Sequence, residues 1–262
     1  MAAPDAGSAA ASLVRVRLVA VQTFAEALRL RLTVLLVFIG AALVLLAWTL
    51  RGFNLGVAEL RFIADFGLAA ISLSGTVLAT FGLAHLYFRD IEGGLAALVL
   101  TRRVGRGEYL AGKLVGVAAL LAWFTAALAV LLAAMLAWRG TQLGANEVLP
   151  AVFLQACALT WLKLILSAAM TLLVCSYAGS ALFAGSAGLL LTVAAHLRVF
   201  APTEGWLAWV RFWPDFGLFE TGPLLAGREA GLVGLAGMGA YWLFFMILFT
   251  GLAAYVFRRR EF

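Results

Sequence analysis

Gly107, Gly112 and Lys113 stand in the stretch "RGEYLAGKLVG", residues 106–116, at the spacing of a phosphate-cradling loop. In a G-x-x-x-x-G-K-[ST] loop the backbone amides and the lysine hold phosphates, and the hydroxyl that follows holds Mg²⁺. Here Leu114 occupies the hydroxyl position. The motif also needs a buried strand before it and a soluble helix after it, and the composition predicts neither. Hydrophobic residues make up 65% of the chain and charged ones 12%, with a mean hydropathy of +1.04. Soluble domains are roughly half apolar and a quarter charged. The near match is therefore read as accidental, with Lys113 a juxtamembrane charge that opens a span.

Other chemistry is sparse. His85 and His196 are far apart in sequence and neither sits in an H-E-x-x-H setting, so no metal or catalytic residue is expected. Cys157 and Cys175 are separated by about 27 Å along one helix and cannot pair with each other. Inside the apolar runs, Ser72, Thr76 and Thr80 recur at four-residue steps, and Thr160, Lys163, Ser167 and Thr171 share a face. Such stripes turn away from lipid, toward other helices or a cavity. A lysine near mid-span is costly unless paired, hydrated or able to snorkel. Lys163 is thus either a polar point on a substrate path or an internal hydrogen-bonding anchor.

The elements that position these residues are membrane helices. A bilayer core of about 30 Å needs about 20 apolar helical residues, and six runs qualify, near 32–50, 65–87, 114–138, 149–176, 178–196 and 231–257. The fold class expected is an all-α membrane protein of six spans with both termini cytoplasmic. On that orientation the inner side carries twelve Arg and Lys against six outside, the bias that topology requires. The +6 net charge is then a topology signal, and no nucleic-acid partner is expected. The opening residues do not read as a secretory signal, so the first span is expected to be retained.

The predicted domains are a cytoplasmic tail and interfacial amphipathic helix over 1–31, a transmembrane domain over 32–257 and a basic tail over 258–262. In 12–31, Arg15, Gln22, Glu26 and Arg29 fall in one arc of the helical wheel, the mark of a helix lying on a leaflet. Segment 197–230 carries Trp206, Trp209 and Trp213 at helical spacing before Pro214, which suits an interfacial or re-entrant element serving as an aromatic anchor or an outer gate. Small residues Ala181, Gly185 and Gly188, and then Gly227, Gly231, Gly234 and Gly237, allow close helix approach within one chain or between two copies.

The longest inner connection, 88–113, reads "FRDIEGGLAALVLTRRVGRGEYLAGK". It resembles the coupling segment of ABC-2 type permeases, E-x-G-T-L-x-x-L-L-x-x-P-[VIL]-[SG]-R-x-x-[YI]-x-x-G-K. The chain supplies Glu92 and Gly94, Leu98 in the apolar run, then Val104, Gly105, Arg106, Tyr109, Gly112 and Lys113, with Leu95 in place of Thr and Arg103 in place of Pro. The nearest branch is the one that includes the permease for nitrous-oxide reductase maturation.

The resemblance implies a non-catalytic permease subunit of an ATP-driven exporter in the inner membrane of a bacterium, working as a homodimer. Two copies of an ABC ATPase would bind ATP and Mg²⁺ on the partner chains, with no cofactor in this one. Glu92, Gly93, Gly94, Arg102, Arg103, Arg106 and Lys113 would form the coupling surface, and Tyr177 in the "CSYAGS" turn a smaller contact. Ser72, Thr76, Thr80, Thr160, Lys163 and Ser167 would line the substrate path. Two other readings stand beside this one, a membrane scaffold that transmits force to a periplasmic accessory protein and a stand-alone secondary transporter.

Overall fold

The computed structural model describes residues 6–49, 59–94, 104–143, 150–200, 213–225 and 232–259, and these form helices joined by short connections, without strands. In chain order the long helices are α1 (Ala6–Leu28), α2 (Arg31–Thr49), α3 (Glu59–Glu92), α4 (Arg106–Leu143), α5 (Pro150–Tyr177), α6 (Ala181–His196) and α7 (Leu232–Arg258). Five of them, α2, α3, α4, α5 and α7, are long and apolar enough to cross a membrane. The chain is a multi-pass membrane protein.

The expected fifth span is shorter than its apolar run. Ser180 accepts a hydrogen bond from the Phe183 amide and starts α6 there, and a 3-10 turn, Leu197–Phe200, tightens its far end. Its 16 residues reach about 24 Å, less than the bilayer core. The expected second and third spans, by contrast, run past their apolar limits. Residues 88–92 continue α3 and 106–113 begin α4, so the predicted inner loop, 88–113, is helical at both ends.

Glycines set the packing order. A Cβ on Gly67 would stand 2.5 Å from Leu132 of α4, and one on Gly75 would stand 2.5 Å from Leu164 of α5. α3 therefore meets both helices with its backbone almost in contact, the arrangement small residues permit where no hydrophobic effect drives association. Gly40 brings α2 against Leu128 and Ser74 in the same way. α5 is the most enclosed of the five spans and α7 the least, 72% against 22% of the span buried. Two indole N–H groups are satisfied by carbonyls across helices, Trp161 donating to Ala118 at 3.0 Å and Trp242 to Leu162 at 2.9 Å. Apolar surroundings make such bonds obligatory.

The two glycine stripes behave differently. Gly185 and Gly188 pack inside the chain, where a Cβ would collide with Phe81 and Thr171 respectively. Gly234 and Gly237 of α7 meet no atom within 4 Å, and Leu243, Phe244 and Ile247 of that helix are exposed. Gly227 and Gly231 lie outside the described residues. One wide π turn, Leu78–Gly82, interrupts α3 and sets Phe81 against Gly185.

Candidate functional site

One end of the helix bundle is rich in charge, and three ion pairs, Arg15 with Glu108, Arg89 with Glu26 and Lys113 with Asp90, join its helices. α4 is 38 residues long, about 57 Å, so its first turns project beyond a bilayer core. Against those turns lies α1. A Cβ on Gly112 would stand 2.7 Å from Val19, and one on Gly116 would stand 2.6 Å from the Ala20 carbonyl. The glycine that looked like a phosphate-loop residue is thus a helix-packing notch. Arg15 binds both oxygens of Glu108, at 2.8 and 2.7 Å, and Glu26 pairs with Arg89 of α3. The hydrogen bond to Glu108, followed by that carboxylate's charge, raises the Arg15 pKa above its ordinary value, against the opposing effect of desolvation.

Lys113 departs from the expectation of an accessible juxtamembrane charge. It is 1% exposed, on α4, and its ammonium donates to the Leu86 carbonyl at 2.8 Å and to the Asp90 carboxylate. Tyr109 donates to the same Asp90 oxygen at 2.8 Å. The physical reason is the helical start at Arg106, which turns Lys113 one register inward, onto the last turns of α3. Stripped of water, the charge needs a counter-charge and full hydrogen bonding, and it has both. The end of α7 joins the same cluster. Phe257 stacks on Tyr109 at 6.1 Å and meets Tyr87 edge-on at 6.2 Å, and Arg106 donates to the Phe257 and Arg258 carbonyls. A cation on those terminal carbonyls also complements the helix dipole.

Of the coupling candidates, Glu92, Gly93 and Gly94 are exposed at the end of α3, with Gly94 in the left-handed region at φ +69°. Tyr177 is 70% exposed and shares a shallow cavity with Ser176, Tyr255, Val256 and Arg259. Arg102 and Arg103 lie outside the described residues, as do Trp206 and Trp209.

The second region is a cavity of about 700 Å³ between α3, α5 and α6, closed at one end by the segment 219–222. Four of the six substrate-path candidates, Ser72, Thr76, Thr160 and Lys163, line it together. Thr80 and Ser167 do not. Both are fully buried and donate to carbonyls one turn back, Thr76 at 2.9 Å and Lys163 at 3.1 Å. Thr76, Thr160 and Thr192 make the same backward bond, at 2.7, 2.9 and 2.9 Å, so their hydroxyl protons are used on the backbone.

Lys163 is 9% exposed and its ammonium, among the described residues, has no hydrogen bond and no ion pair. Glu220 acts on it only at longer range. Asp65, His196 and Glu220 also line the cavity. His196 shares its Nδ1 with the Thr192 carbonyl at 2.9 Å, and its ring meets Phe216 edge-on at 5.0 Å.

Sequence reasoning did not assemble this set. Asp65 lay at a span edge, His196 stood outside any metal-ligand setting and Glu220 sat in the segment 197–230, with no common period to link them. Asp90, the partner of Lys113, was likewise visible only as one charge in a basic loop.

The opposite end of the bundle is tied by Arg139, which binds Glu59 at 2.7 and 3.0 Å, and by the stack of Trp48 on Trp138 at 5.0 Å. Nearby, Arg198 donates to the Trp213 carbonyl at 2.8 Å and to Tyr241 at 3.2 Å. Those bonds hold the segment beginning at Trp213 against α6 and α7. Comparison with protein-family models and with curated proteins finds no match.

Proposed function

We propose that this chain is the membrane subunit of an ATP-driven exporter of the ABC-2 type, driven by an ATPase on a separate polypeptide. The observation that carries this reading is the fastening around the segment that resembles a coupling loop. Exposed residues Glu92 to Gly94 lead directly into a cluster, Lys113, Asp90, Tyr109 and Arg106, that ties α3, α4 and the end of α7 together. A push delivered on 93–105 would move three helices as one body. Lys113 then serves as an internal fastener, and the contact surface consists of Glu92, Gly93, Gly94 and Tyr177, with Arg102 and Arg103 in the loop and Arg106 at its edge.

In this reading both termini are cytoplasmic and α6 completes six crossings with the turn that follows it. α1 lies at the inner leaflet, its exposed Leu13, Val14, Leu18 and Val21 toward lipid and Arg15 and Glu26 toward the bundle. The uncovered face of α7 is available to a second permease copy in the inner membrane of a bacterium. ATP binding favours one arrangement of the bundle only if the ATPase grips the two arrangements with different affinity. The cavity favours a subunit that handles a ligand over a scaffold that only transmits force.

The test is affinity capture of the tagged chain from membranes, with ATP turnover measured in lipid nanodiscs for the native chain and for a Glu92→Ala, Arg106→Ala double variant. An ATPase is expected to co-purify with the native chain, and the double variant to lose that ATPase or the permease's effect on its turnover. A stable, functional chain that captures no ATPase would end this reading.

A further inference from the structure

We propose that the cavity between α3, α5 and α6 binds the headgroup of a membrane amphiphile carrying one phosphate or carboxylate and one primary ammonium, with Lys163 holding the anion. This names a ligand class for the permease reading and rests on that reading only for the claim that the ligand is moved.

The argument starts from the cost of Lys163. An ammonium deep in a membrane protein is expensive unless it has a counter-charge, water or a route to the interface. Thirteen residues separate Lys163 from the first residue of α5, about 20 Å of helix, which is beyond the reach of a snorkelling side chain. The ammonium is nine-tenths buried, free of hydrogen bonds among the described residues, and opens on the cavity. Ser72 faces the same space with its hydroxyl unbonded among the described residues, which supplies a second donor. A phosphate or carboxylate satisfies both.

The opposite charges fix the rest of the headgroup. Asp65 and Glu220 stand on the lining with Lys163, and Arg61 acts on Asp65. Two carboxylates repel a second negative charge on the ligand and accept hydrogen bonds from a primary ammonium. Along α3, Asp65 precedes Ser72 by seven residues, about 10 Å of helix, so the accepting carboxylate and the donating hydroxyl stand toward different ends of the lining. Thr76, Thr160 and Thr192 have spent their protons on the backbone, so toward the cavity they too can only accept.

Shape points to an amphiphile. Leu73 of α3, Val193 of α6 and Leu197 line the cavity and are still 63, 46 and 55% exposed. The mouth therefore opens sideways, between α3 and α6, on the lipid-facing surface. A headgroup enters there while its chains stay in the bilayer. The volume, about 700 Å³, is that of an ordinary small-molecule site.

The experiment places the full chain in nanodiscs of phosphatidylcholine doped equally with phosphatidylethanolamine and phosphatidylglycerol, then identifies retained lipid by native mass spectrometry. Phosphatidylethanolamine is expected to be enriched over both other headgroups. Lys163→Met is expected to cut that retention about tenfold, near 1.4 kcal/mol, while Lys163→Arg keeps it. Leu73→Trp, at the exposed mouth, should lower it without touching the core. Equal retention of phosphatidylglycerol, or undiminished retention in Lys163→Met, overturns the proposal. Displacement of the lipid by soluble glycerophosphoethanolamine at matching concentration overturns the lipid source. No ATPase takes part, so this outcome is separate from that of the capture experiment above.

Discussion

The chain has two lysines, and they are buried in opposite ways. Lys113, 1% exposed, is surrounded by the Asp90 carboxylate, the Leu86 carbonyl and the Tyr109 hydroxyl. Lys163, 9% exposed, faces a cavity with none of these. A buried charge whose donors are all used joins helices together and has nothing left to offer a ligand. One whose donors point into open space is a binding group waiting for its counter-charge. The difference separates a charged end whose lysine is fully bonded from a middle whose lysine faces open space.

The largest effect should come from breaking the Lys113–Asp90 pair. Asp90→Ala leaves Lys113 buried without its counter-charge and is expected to cost ~3–5 kcal/mol, read as a lower thermal midpoint in detergent. Restoring apolar packing with Lys113→Met and Asp90→Leu together should recover most of that loss, since a buried pair replaced as a unit is often neutral. Lys163→Met is expected to leave the midpoint unchanged or raise it. Equal destabilisation by Asp90→Ala and Lys163→Met would erase the contrast between the two lysines.

A smaller effect tests whether the two regions are independent. Gly188→Leu drives a side chain into Thr171 and should cost about 1–3 kcal/mol by prising α6 from α5. Its faster hydrogen exchange should be confined to the cavity helices, with α1 and the start of α4 unchanged. The smallest effect is expected from Glu108→Gln, which weakens the bond to Arg15 on a part-exposed surface. Amides of α1 should exchange faster while those around Lys163 stay as they were. Spread of either change across both regions would show that cavity and charged end are one cooperative unit.

How much of this was legible in the sequence follows the physics of each feature. Span positions were readable because crossing a bilayer demands a local run of apolar residues, and five of the helices fall on such runs. The lengths of α3 and α4 were not, because their extra turns are stabilised by partners far along the chain, Asp90 with Lys113 and Arg106 with the end of α7. The burial of Lys113 was hidden for the same reason. Gly112 and Lys113 stand side by side in the sequence and on different faces of one helix, the glycine meeting Val19 of α1 and the lysine meeting Asp90 of α3. Ser72, Thr76, Thr160 and Lys163 were found from periodicity within single helices, whereas Asp65, His196 and Glu220 were not, since what unites them is a shared space between helices and a loop.

By itself the sequence determined that the chain lives in a membrane, where its helices run, and which polar residues turn inward, because those depend on local hydropathy and helical period. Only the tertiary structure decided which lysine is satisfied and which is left facing a cavity. That depends on groups tens of residues apart meeting in a medium without water, where every charge must find its partner through the fold.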